Sequence, residues 1–157
     1  MLEYQNLSLQ IINFLIPFLV GSLIFFSLVV APNVFISLDQ KSARKFIRSI
    51  FPKLYLYAFL ISITIALLII YHWIIYGVIF FIVSFGFLFS KIFLVKWINN
   101  VSDVKQKTSR QIKKFKILHS LSVLIFITQI VCMTIVYLKV QWFIILLRRS
   151  KFTNLFP

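Results

Sequence analysis

The chain has 157 residues, 61% of them hydrophobic and 13% charged, with a formal net charge of +14. A soluble domain is roughly 45–50% apolar and about 25% charged, and a mean hydropathy of +1.00 is more than a water-soluble globule of this size could hide. The length argues for a single domain, 1–157, and one cysteine, Cys132, excludes an internal disulfide and lacks the partners of a metal site.

With 3 Gly and 4 Pro the chain has little turn chemistry and favours long helices. Its basic charge invites a nucleic-acid reading, but the Lys and Arg residues fall between apolar runs. A membrane protein needs them there for orientation, so the expected partner is anionic lipid headgroups and no nucleic acid.

Met1 to Ser8 is short and polar, without the basic start of a secretory signal. The first apolar run, Leu9 to Val30, has about 22 residues. At about 1.5 Å rise it reaches about 33 Å, enough to cross a hydrocarbon core of about 30 Å. Pro17 lies inside it, and Gly21 and Ser22 are small enough to let another helix approach. Ala31-Pro32-Asn33-Val34-Phe35 is expected to end this helix.

Residues 36–53 carry Lys41, Arg44, Lys45, Arg48 and Lys53, with Leu38, Ala43, Phe46, Ile47 and Ile50 at helical spacing. This predicts an amphipathic helix lying in the interface and closed by Phe51-Pro52. Leu54 to Tyr71 is the second span, with Ser62 and Thr64 as inner polar groups. Tyr71, His72, Trp73 and Tyr76 form an uncharged aromatic turn at headgroup level.

Trp73 to Val95 is the third span. Gly77, Ser84 and Lys91 share one face and Gly86 and Ser90 another. Lys91 near its end reads either as a snorkelling lysine or as a buried functional cation. A second basic loop, Trp97 to Lys116, holds Asn99 and Asp103. The fourth span, Ile117 to Leu138, carries His119, Ser122 and Gln129 on one side. Gln129 near mid-span should face protein, with Gly21 and Ser22 as expected neighbours. The basic tail, 139–157, holds an apolar stretch too short to span that either extends the fourth helix or lies along the interface.

The expected fold is thus all-α: four transmembrane helices with an interfacial amphipathic helix between the first and second. The two basic loops carry five and six Lys/Arg, against four in the tail and none elsewhere on that side. This charge bias places both loops in the cytoplasm and both termini outside, as in a bacterial inner-membrane protein. Pro32, Asn33, Lys91, Asn99, Asp103, His119 and Ser122 then reach one leaflet, and this cluster is the candidate site. His119 reads either as a structural residue that bonds a neighbouring helix or loop carbonyl and holds the bundle together, or as a ligand or proton site, since a histidine can donate, accept and change charge near neutral pH. Asp103 is expected to orient His119 or to pair with Lys91, and His119→Ala to disturb more than His72→Ala.

Three stretches resemble the transmembrane protein 205-like family, also called domain of unknown function 4149. They are Ala31-Pro32-Asn33-Val34-Phe35 with the Ile50-Phe51-Pro52 closure, Ile98-Asn99 with Asp103, and Phe115-x-x-Leu118-His119-x-x-Ser122. Arg44 and Asn100 depart from the glycine and proline expected there. The resemblance implies a four-helix membrane protein of unsettled role and adds Phe35 to the positions to test.

No paired carboxylates, HExxH or phosphate-binding glycine loop is present. The reading is therefore a non-enzymatic integral membrane protein: structural, assembly or small-solute handling. The alternatives are a haem- or metal-binding redox protein using His119, the one weak metal-ligand candidate, and a small transporter or channel subunit. A homo-oligomer or a membrane-protein partner stays open, and no cofactor is assigned.

Overall fold

Buried residues in the long helices recur every three or four positions, and that spacing decides which faces meet. The computed structural model describes residues 2–103 and 108–153, with side chains over 7–103 and 108–145; every element among them is helical. Helix α1 (Leu2–Phe25) buries Ile12, Ile16, Leu19 and Leu23. A π-helical turn, Phe26–Val30, leads without a break into α2 (Ala31–Ser37). Helix α3 (Gln40–Ile69) buries Tyr55, Ala58, Ser62, Ile65 and Ile69. Helix α4 (Ile74–Phe89) buries Gly77, Phe80, Ser84 and Phe87 and continues through a second π turn, Ser90–Leu94, into α5 (Val95–Ser102). Helix α6 (Ser109–Thr153) buries Gln129, Met133, Val136 and Val140. Four rods, Leu7–Ser37, Gln40–Ile69, Ile74–Ser102 and Ser109–Ile145, are long and apolar enough to cross a membrane.

The rods form a ring. Helix α1 packs on α3 and α6, and α4 packs on the same two. Among the described residues no Cα of α1 comes within 8 Å of α4, nor one of α3 within 8 Å of α6. Among the described residues each neighbouring pair is joined by at least one polar clasp. Ser22 Oγ lies 3.1 Å from Tyr57 Oη between α1 and α3, and Ser84 Oγ lies 2.9 Å from Ser62 Oγ between α3 and α4. Gln129 Nε2 donates to the Val83 carbonyl (3.1 Å) between α6 and α4, and Gln141 Nε2 to Asn13 Oδ1 (2.8 Å) between α6 and α1. Large apolar side chains such as Phe14, Phe25, Ile82 and Leu124 point outward and are exposed.

Several expected boundaries move. Pro32 does not end the first helix. It falls in the first turn of α2, where a missing N–H costs least. The π turn ahead of it absorbs the register change, with Ala31 N–H bonded to the Phe26 carbonyl. Helix α1 likewise runs through Pro17. The chain turns at Leu38, and Asp39 starts α3 by accepting from the Lys41 and Ser42 amides at 3.0 and 3.1 Å. The Ser42 side chain and amide hold this carboxyl below its ordinary range.

Pro52 does not close a separate amphipathic helix, because α3 is continuous from Gln40 to Ile69. Tertiary contacts hold the path just before the proline. Phe51 packs edge-on against Phe26 (5.5 Å between centroids), and Arg48 pairs with Asp103. The basic stretch before Lys116 is helix from Ser109, not loop. Gln111 Oε1 accepts from the Thr108 amide at 3.0 Å, which is half of a capping box. The tail extends this helix to Thr153. Lys105 and Lys107 of the expected loop, and residues 154–157 of the tail, lie outside the described residues.

The α3–α4 turn is tight: the amides of His72 and Trp73 both bond the Ile69 carbonyl, at 3.0 and 2.8 Å. Gly77 makes this turn fit. A Cβ there would sit 2.7 Å from Ile70 Cβ and 2.8 Å from Ile70 Cα.

Candidate functional site

Helices α1 and α6 touch, but the seam between them opens toward one end. No Cα of Phe26–Val30 or of α2 lies within 8 Å of α6 among the described residues. The wedge left between them is a cavity of about 720 Å³. One wall is Ser27, Leu28, Ala31 and Phe35. The floor is Arg48, Phe51 and Tyr55 of α3. The far side is Val95 and Asn99 of α5, and the opposite wall runs along α6 from His119 and Ser122 to Ile130. The lining is mostly apolar.

Local structure explains why these side chains meet. The π turn Phe26–Val30 buries Phe26 while its neighbours Ser27 and Leu28 both line the cavity. The second π turn ends at Leu94, just before Val95 and Asn99. Single π turns inside α-helices recur at functional sites because they re-aim side chains without breaking the rod. On α3, Arg48, Phe51 and Tyr55 are three and four residues apart and share one face.

The polar groups lie in two tiers. Deeper, Tyr55 Oη is 3.3 Å from Ser122 Oγ, across the diagonal of the ring. Tyr55 is buried, with Phe51 and Phe126 around it at 5.9 and 6.4 Å between centroids. Nearer the helix ends sit Arg48, Asn99 and His119. His119 is exposed, its ring lies parallel to Phe115 at 6.0 Å, and that ring makes no hydrogen bond among the described residues. Arg48 is paired through Nη2 with Asp103 Oδ1.

The cavity brings together four of the sequence-derived candidates: Phe35, Asn99, His119 and Ser122. The others stand apart. Pro32 and Asn33 are exposed, and Asn33 Nδ2 returns to the Val29 carbonyl at 2.7 Å. Lys91 is half-buried in the second π turn and does not line the cavity. Asp103 pairs with Arg48, not with Lys91 or His119. Gln129 meets Val83 beside Gly86, not Gly21 and Ser22. Gly21 is exposed, with open space where a Cβ would point. Gln129 is buried and its Oε1 has no partner.

Sequence reasoning missed Arg48, Tyr55 and Ser27. Arg48 was one of five basic residues in an amphipathic stretch. Its distinguishing signal was helical spacing to Phe51 and Tyr55 across Pro52, invisible once the proline was read as a stop.

The two histidines belong to different ends. His72 Nε2 lies 2.7 Å from Ser8 Oγ, its ring rests against Trp73, and burial pushes its pKa below the ordinary 6.5. Among the described residues no group of three or more His, Cys, Asp or Glu side chains could hold a metal ion. Cys132 is half-buried and free.

No family model, curated protein or solved structure matches the chain.

Proposed function

We propose that the chain is a non-enzymatic integral membrane protein, of the bacterial inner-membrane type, that holds a small apolar or amphipathic solute in the cavity between the first and last rods. The observation that carries this is the cavity itself. It is within the about 300–1,000 Å³ range of small-molecule sites, mostly apolar, with the basic side chains Arg48 and His119 at one end. Among the described residues no carboxylate lines it, so they bring no paired acids of hydrolytic chemistry to it.

The exposed apolar faces of the rods support the bilayer setting, since a soluble protein rarely leaves such large patches bare. The basic segments favour placing the cavity end in the cytoplasmic leaflet with both termini outside. There the first turns of α3, with Lys41, Arg44 and Lys45, would lie among anionic headgroups as the interfacial amphipathic stretch. Membership of the transmembrane protein 205-like family belongs to the same proposal and rests on the three stretches that carry the resemblance. A second copy or another membrane protein is the further partner class.

The test is extraction. Small molecules co-purifying with the wild-type protein are compared with those of Ile127→Trp, which fills the cavity from an exposed position. A species lost in the variant is expected; identical extracts would remove the reading. A Soret band in the purified protein would replace it with the haem alternative. Orientation is read from single cysteines at Ser42, Ser109 and Thr153 in a Cys132→Ser background, labelled with an impermeant reagent. Ser42 and Ser109 should label only in opened cells and Thr153 in intact ones.

A further inference from the structure

We infer that the cavity takes one acyl chain of an anionic glycerophospholipid, which enters sideways through the seam and rests its phosphate against Arg48 and Asn99. This rests on the reading that the cavity holds a solute, and it names the solute.

Length is the first argument. The α6 wall runs from His119 to Ile130, eleven residues or about 16 Å of helix. One leaflet of a hydrocarbon core about 30 Å thick is about 15 Å deep. The cavity is thus as long as the chain layer of a single leaflet.

Access is the second. Leu28 on one lip and Ile127 on the other both line the cavity, yet they are 73% and 52% exposed. The seam opens on the flank of the bundle, where the bilayer would lie, so a membrane lipid reaches it without crossing water. A free water-soluble anion would have no use for the long apolar part of the groove.

Charge is the third. Asp103 meets Arg48 through Nη2, and a guanidinium has five N–H donors, more than one carboxylate can occupy, in a fork that suits phosphate. Arg44 lies one turn before Arg48 and Lys116 three residues before His119, on the same helix faces. They outweigh the single carboxylate of Asp103, so the headgroup end favours an anion. Phosphatidylcholine carries the same phosphate but adds a cation that these residues repel.

Native mass spectrometry of the protein, delipidated in detergent and offered phosphatidylglycerol or phosphatidylcholine with identical chains, tests this. The most tightly retained lipid should be phosphatidylglycerol, by about tenfold at low salt, and Arg48→Gln should bring the two lipids level. Ile127→Trp and Ala31→Phe, from opposite walls, should each lose the retained lipid, whereas Ile82→Trp on an exposed face should keep it. Melting curves identify any variant that has not folded, and the other wall then decides. Equal retention of both lipids by the wild type, or full retention by both wall variants, overturns the proposal. If the wild type instead carries a non-lipid solute that Ile127→Trp lacks, the lipid assignment falls and the solute-holding role stands. If no small molecule binds at all, both fall.

Discussion

The two ends of this bundle use polar side chains in opposite ways. At the end built around the α3–α4 turn, they are spent on structure: Ser8 meets His72, Asn13 meets Gln141, and Gly77 lets the chain fold back over Ile70. At the other end, the His119 ring makes no hydrogen bond among the described residues, and Arg48 faces the cavity with a single carboxylate, Asp103, as its partner among them. A polar group consumed by packing is a stability element; one left facing a roomy cavity is available to a ligand. The comparison therefore separates residues whose loss should unfold the protein from residues whose loss should empty it.

The sharpest way to break the contrast is at the tight turn. Gly77→Ala should lower stability by about 2 kcal/mol in a denaturation assay, because the new methyl meets backbone as well as side chain of Ile70. Next is the α4–α6 contact. Gly86→Ala should cost about 1–2 kcal/mol, since its Cβ would collide with the Gln129 amide. Gln129→Met alone should be near neutral, because it also removes a buried Oε1 without a partner. The double variant should recover most of the Gly86→Ala loss in a double-mutant cycle; a purely additive result would mean the clash is relieved elsewhere.

A smaller effect is expected of Asn13→Ala, about 1 kcal/mol for one hydrogen bond between α1 and α6. Smaller still is the pH effect at His72. Its folded pKa is depressed by burial, so its contribution is intact above the ordinary 6.5 and is lost as the pH falls through the lowered value. Melting temperature should drop as the pH falls below the ordinary 6.5, and His72→Phe should flatten the drop. His119→Ala should leave melting unchanged while altering what co-purifies. This divides the expectation that His119 matters more: for ligand it should, for stability His72 should.

Much of the fold was legible. Four apolar runs and their flanking charges announce four rods, and the described residues form four. Helix ends were not, because Pro32 and Pro52 were read by what proline does to an isolated helix. A π turn and ring contacts from Phe51 absorb that penalty, and neither leaves a mark in local composition. The start of α6 was readable in Thr108-x-x-Gln111 but was masked by surrounding lysines. Of the site, His119, Ser122, Asn99 and Phe35 were found because they stand out within a span or, for Phe35, within a family-like stretch. Tyr55 and Arg48 were not, because their importance lies in which helix they face, and lateral neighbours are set by the ring order. The same gap sent Gln129 to the wrong partner.

The bond between Asn13 and Gln141 makes the first and last rods resemble a clothes-peg, pinned at one end with jaws at the other. Gln141 and His119 are twenty-two residues apart on one unbroken helix, a lever arm of about 33 Å. A tilt of about 3° about the pin would swing the His119 end by about 1.7 Å over that arm. The width of the jaws is thus geared to the far end of the molecule, and a substitution that slackens Asn13 would be felt most at the end where no bond among the described residues joins these two rods.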